Sequence, residues 1–152
     1  MDDLHFMRIA LEEAQKAARK GEVPVGAVIV RDEEVLSRAH NLRETSHDPT
    51  AHAEVLAIRE AARKLRNWRL LDSVLYVTKE PCPMCAAAIV HARIKRVVYG
   101  CRDPKGGAVE SLYNILSDRR LNHQVEFSSG VLEEESAEIL KGFFRERRQT
   151  PS

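Results

Sequence analysis

Residues 74–100, VLYVTKEPCPMCAAAIVHARIKRVVYG, decide the architecture of this chain. Val74-Leu75-Tyr76-Val77-Thr78 is a run of apolar, β-branched and aromatic residues, which reads as a buried strand. Pro81 and Cys82 carry the signal for a helix start, and the helix extends to about residue 92. Residues 96–100, RVVYG, return to the strand pattern. A strand, a helix and a strand in this order mark a layered α/β unit.

The rest of the chain fits around that unit. Met7, Ala10, Leu11, Ala14 and Ala18 recur at helical spacing, with Gly21 as a natural stop. Residues 23–30 and 35–40 read as strands joined by the polar turn Arg31-Asp32-Glu33-Glu34, a connection short enough to require antiparallel pairing. A polar loop over 41–50 ends in Asp48-Pro49-Thr50 and leads into a helix over 51–65, with His52 and Glu54 in its first turn. After the central unit come a Gly-rich loop at 103–108, a short strand at 124–127 and a terminal helix from 133 to about 147. An opening hairpin followed by strand–helix alternation predicts a single α/β domain over 1–152, a three-layer α/β/α arrangement with a mixed five-stranded sheet and helices on both faces.

Composition narrows the function classes. The 152 residues suffice for one substantial core, and a formal net charge of +1 supplies no global attraction to phosphate, so any nucleic-acid contact rests on local charge. No apolar run approaches the ~18 residues of a membrane span, so no membrane association is expected. The acidic start Met1-Asp2-Asp3 lacks the pattern of a secretory signal. Three cysteines, two of them in C-x-x-C, fit a reducing cytoplasmic compartment, where such a pair binds metal or does redox chemistry.

The chemistry concentrates in His52-Ala53-Glu54 and Pro81-Cys82-Pro83-Met84-Cys85. One imidazole and two thiols make three ligands for one Zn2+ per chain, and a catalytic zinc site differs from a structural one in leaving its fourth position to water. Helical pitch puts Cys82 and Cys85 on one face of a first turn, where the helix N-terminus favours thiolates. Glu54 lies about 200° around a helix from His52, a placement that suits a carboxylate shuttling protons beside the metal rather than binding it. Two alternatives stay open: a redox-active C-x-x-C, and a closed structural site with His47, His91 or Cys101 as fourth ligand. Lys141, Arg145, Arg147 and Arg148, with Phe143 and Phe144, offer cations and stacking surface to RNA, although basic residues near a helix C-terminus also simply favour its dipole.

The H-A-E and P-C-x-x-C pair resembles the signature of the zinc-dependent cytidine and purine deaminases. Further stretches are similar to the bacterial tRNA-specific adenosine deaminases within that superfamily: residues 21–27, 48–54, 67–70, 75–78, 97–100, Asp103-Pro104-Lys105-Gly106-Gly107, Leu121-Asn122-His123, and Gly142-Phe143-Phe144-Arg145 with Arg147-Arg148. The resemblance implies the deaminase α/β/α fold, a homodimer, and hydrolysis of adenosine to inosine at position 34 of a tRNA anticodon stem-loop. It implies His52, Cys82 and Cys85 as zinc ligands and Glu54 as proton shuttle. Asn41 would bind the target base, Asp103 and Lys105 the anticodon nucleotides, and Phe144 and Arg147 would lie near the RNA. The same zinc motifs would also serve a deaminase of free bases or nucleosides. Two positions depart from the resembled pattern: Lys79, where an apolar residue is expected, and Cys101, where a small one is.

Overall fold

In the computed structural model, which describes residues 2–149, a five-stranded sheet lies between two pairs of helices. The elements follow one another as α1 (Asp3–Arg19), β1 (Gly26–Arg31), β2 (Glu34–His40), α2 (Ala53–Leu65), β3 (Val74–Lys79), α3 (Pro83–His91), β4 (Arg96–Cys101), β5 (Glu126–Ser129) and α4 (Glu133–Gln149). The sheet order is β2-β1-β3-β4-β5. β1 is antiparallel to β2 and to β3, whereas β3, β4 and β5 run parallel. The mixed sheet expected from the hairpin and the strand–helix alternation is present, as is the three-layer packing.

Alternation along the strands assigns the two faces. Ala27, Ile29, Leu75, Val77, Val97 and Tyr99 pack with Ala53, Ala57 and Ala61 of α2 and with Ala86, Ile89 and Val90 of α3. Val28, Val30, Val74, Tyr76 and Val98 point the other way, onto Phe6, Met7 and Ala10 of α1. Small alanines on α1 and α2 bring the helices close to the sheet. At Gly26 a Cβ would collide with the Ala10 carbonyl of α1, so only glycine serves there. Asp2 caps α1 by accepting from the His5 N–H at 3.1 Å, and Asp3 ties the helix to the sheet through the Tyr76 hydroxyl at 2.7 Å and the Arg96 guanidinium at 2.8 and 3.1 Å.

Several boundaries differ from the sequence reading, for local reasons. Residues 23–25 precede β1 rather than belong to it, because the Val25 carbonyl accepts from the Asn41 N–H and the Val23 carbonyl from the Asn41 side chain. Val23 and Val25 line a cavity instead of joining the ladder. β5 starts two residues late, since Val125 N–H bonds to the Leu116 carbonyl and the Gln124 amide to the carbonyls of Asp118 and Leu121. α2 and α3 begin at Ala53 and Pro83, so His52 and Cys82 precede their helices as N-cap residues in extended backbone, with ψ of 151° and 173°. Among the described residues no helix is long and apolar enough to cross a membrane.

Candidate metal and substrate site

β1 runs antiparallel to both β2 and β3, so β2 and β3 finish at the same end of the sheet and the starts of α2 and α3, which follow them, lie there together. His52, the N-cap of α2, there meets Cys82, the N-cap of α3, and Cys85, the third residue inside α3. An N-cap side chain folds back over the first turn toward the third helical residue. The two cysteines therefore converge as N-cap and N3, not as two members of one helical face. Free N–H groups at both helix starts surround the cluster with partial positive charge.

His52 Nδ1 lies 3.6 Å from Cys82 Sγ and 3.5 Å from Cys85 Sγ. Zinc bond lengths of about 2.05 Å to nitrogen and 2.3 Å to sulfur, at a tetrahedral angle, give an N···S edge of about 3.6 Å. The donor set thus fits zinc in type and spacing, with Nδ1 as the atom facing both sulfurs. All three ligand atoms lie within 4.8 Å of one another, and no fourth His, Cys, Asp or Glu among the described residues joins them. His47 and His91 are exposed, and Cys101 is buried with its sulfur 3.6 Å from the Thr78 carbonyl, so the closed-site alternative has no fourth ligand among these three.

Charge is divided unequally between the thiols. A hydrogen bond from Cys85 and another from His52 draw Cys82 down to about 4, while the neighbouring sulfur and burial push Cys85 well above the ordinary thiol range. Without the metal, only one of the two thiols is held in its charged form. A divalent cation reverses the second shift, because its attraction favours the charged form. Glu54 is 4% exposed and is not one of the three clustered residues, although its side chain bonds to that of Cys85; burial raises its carboxyl pKa.

A cavity of about 230 Å³ opens beside these residues, lined by Val23, Val25, Asn41, Arg43, His52, Ala53, Glu54, Lys79, Glu80, Cys82, Asp103 and Phe144. That is just below the roughly 300–1,000 Å³ of clefts for drug-sized molecules, a size for one base rather than a stacked segment. Asn41 is buried and fixed by its Oδ1, which accepts from the Arg43 N–H at 3.1 Å, and by its Nδ2, which donates to Val23 at 3.4 Å. One N–H and one lone pair of the amide remain for a ligand. Phe144 presents a 44% exposed ring at the edge. Lys105 and Arg147 do not line the cavity: Lys105 is exposed on its loop, and Arg147 donates to the Gly21 carbonyl and lies 4.9 Å over the Phe143 ring.

Two buried carboxylates that the sequence reading passed over hold the loops around the cavity. Glu22 accepts from the N–H groups of Glu44 and Thr45 and from the Thr45 hydroxyl, pinning the loop that carries Asn41 and Arg43. Glu80 accepts from the N–H groups of Asp103, Val109, Glu110 and Ser111 at 2.9–3.1 Å and from the Ser111 hydroxyl at 2.5 Å. A Cβ at Gly107 would overlap this carboxylate, which explains one glycine of the D-P-K-G-G loop. Burial alone would raise the Glu80 pKa, but these hydrogen bonds outweigh it and hold the group at about 2. The available signal was an acid directly after an apolar strand, where a solvated side chain is unexpected.

Stability follows from that depression. The contribution of Glu80 is complete above the unfolded carboxylate pKa and is lost as pH falls toward 2, and the shift amounts to roughly 3 kcal/mol at neutral pH. Glu80→Gln is expected to lower unfolding free energy by about that amount at pH 7, and the gap from wild type should narrow between pH 4.5 and 2.5. Denaturant titrations across this range check both; a constant gap would contradict the linkage.

Comparison with known proteins agrees with the geometry. Residues 1–148 match the family model described as MafB19-like deaminase. The chain is 55% identical to a tRNA-specific adenosine deaminase of Bacillus subtilis (strain 168) over 144 residues, covering 95% of this chain and 89% of that one. It is 50% identical to the protein of the same description from Haemophilus influenzae, over 97% of this chain and 86% of that one. A solved structure from work on A-to-I editing by tRNA:A34 deaminases at the wobble position superposes with a TM-score of 0.87 at 51% identity, over 90% of this chain and 99% of that one. A guanine deaminase from Nitrosomonas europaea shares the fold, with a TM-score of 0.80 at 19% identity over 92% of this chain and 83% of that one.

Proposed function

Because the chain belongs to the MafB19-like deaminase family and, within it, to the tRNA-specific adenosine deaminases, we propose that it converts adenosine to inosine at wobble position 34 of tRNA, with Glu54 moving the protons. The observation that carries this reading is Glu54 itself: buried on the wall of the cavity that His52 and Cys82 also line, yet outside the three-ligand cluster. A zinc ion held by His52, Cys82 and Cys85 supplies Lewis-acid activation of water.

The chain's own residues account for the rest. A base stacked in the anticodon loop is out of reach, so the nucleotide is splayed into the cavity, where the Asn41 amide meets its polar edge and Phe144 its face. Glu54 accepts a proton from the attacking water as the new C–O bond forms at C6 of adenine. It delivers that proton to N1, and a second transfer protonates the amino group. The C6–N bond then breaks, so adenosine and water become inosine and ammonia. Burial, which raises the Glu54 pKa, suits a group that must both take and give a proton near neutrality. Asp103 and Lys105 on the loop after β4, and the exposed Arg145 and Arg148 of α4, provide polar and cationic contacts to the flanking nucleotides.

Incubating the zinc-loaded protein with an anticodon stem-loop bearing A34, followed by mass analysis of its nucleosides, is expected to show inosine. Absence of product would overturn the assignment, and much faster turnover of a free base or nucleoside would favour a small-substrate deaminase. The working unit is a homodimer acting in the cytoplasm. The exposed Trp68 and Leu71, between α2 and β3, are apolar surface of the kind a second copy covers, and sedimentation equilibrium tests it.

A further inference from the structure

Lys79 ends β3, paired in register with Cys101 of β4, and its side chain reaches the cavity wall. Its ammonium lies 3.2 Å from Asp103 Oδ2, with the two side chains 29% and 19% exposed. The other Asp103 oxygen, Oδ1, accepts from the N–H groups of Lys105 at 3.1 Å and Gly106 at 3.2 Å, and the Asp103 N–H donates to Glu80 at 3.0 Å. Three acids line the cavity: Glu54 and Glu80 are 4% and 2% exposed, so Asp103 is the one whose charge reaches the rim. A phosphodiester strand entering the cavity passes this carboxylate well within a Debye length of about 8–10 Å.

We propose that Lys79 is a positioning residue for the substrate: its ammonium fixes the Asp103 carboxylate at the rim and offsets its charge, so that the strand enters past an ion pair rather than a bare anion. An apolar side chain at this position leaves Asp103 held on the loop by two N–H groups but without its ion-pair partner. Lys79 thereby tunes binding of a polyanion without taking part in proton transfer. This inference rests on the reading of the cavity as an RNA-deaminating site.

The test measures kcat and KM on the A34 stem-loop for wild type, Lys79→Met, Lys79→Arg, Asp103→Asn and the Lys79→Met/Asp103→Asn double variant, at about 50 and about 300 mM salt. Lys79→Met is expected to raise KM about fivefold at the lower salt with kcat within about twofold, and the KM effect should shrink to about twofold or less at the higher salt. Lys79→Arg should restore KM to within about twofold, and in the Asp103→Asn background the Lys79→Met effect should nearly vanish. If Lys79→Met does not fold, Lys79→Gln serves the same comparison. An unchanged KM, a loss confined to kcat, or a full effect persisting without the Asp103 charge would overturn the inference. Failure of wild type to form inosine would sink the function itself, and this inference with it; turnover by wild type with an indifferent Lys79 would sink this inference alone.

Discussion

Glu54→Gln is expected to reduce inosine formation by about a thousandfold or more while leaving zinc content unchanged. A positioned acid–base group contributes roughly 10²–10⁴ in rate, and Glu54 serves both the water and the departing amine, which places the loss toward the upper end. The amide keeps the size and the helix position of the carboxylate but can neither accept nor return a proton. Metal retention follows because His52, Cys82 and Cys85 form the cluster without it. Stability has a definite sign as well. In the metal-free chain burial raises the Glu54 pKa, so the ionised form costs the fold stability above the ordinary carboxylate range, and after chelation a neutral isostere should melt at the same or a higher temperature at pH 7. Metal analysis, thermal melting and the stem-loop assay on one preparation check all three. Activity within tenfold of wild type, or loss of zinc, would remove Glu54 from its role.

Cys85→Ala is expected to abolish both stoichiometric zinc and inosine formation. Its sulfur is fully buried, and its removal leaves His52 and Cys82 to hold the ion alone. Tight binding to the folded chain adds about 3–4 kcal/mol of stability when free metal stands at 100–1,000 times its dissociation constant. For a domain of this size that corresponds to roughly 10 °C in melting temperature, so wild type treated with a strong chelator should melt about that much lower and recover on addition of zinc. The variant should show no such dependence. Full activity after exhaustive chelation would defeat the zinc assignment.

How legible the site was depended on the kind of information each residue carries. The H-A-E and P-C-x-x-C spacings name the candidate ligands because chemical type and local separation suffice. Their geometry was read less well. A helical pitch drawn through Cys82 and Cys85 misses that Cys82 is an N-cap, and the same holds for His52. Helix boundaries are set by caps and by N–H groups without partners, to which periodicity is blind. The resemblance pointed to Asn41, Asp103 and Phe144, which the fold gathers in one cavity; it also pointed to Arg147, whose guanidinium is turned to the Gly21 carbonyl.

Strand, helix and turn patterns, the α/β class, the hairpin at its start and the identity of three candidate ligands with an acid beside them were legible in the order of residues alone, because each depends on side-chain type over a few positions. Only the folded chain decided the strand order β2-β1-β3-β4-β5, and with it the meeting of two helix starts that stand some thirty residues apart. The same holds for Glu80, whose donors lie 23 to 31 residues ahead, and for the Lys79–Asp103 pair. A buried charge takes its partners from whatever the chain's path brings near, and no local period encodes that path.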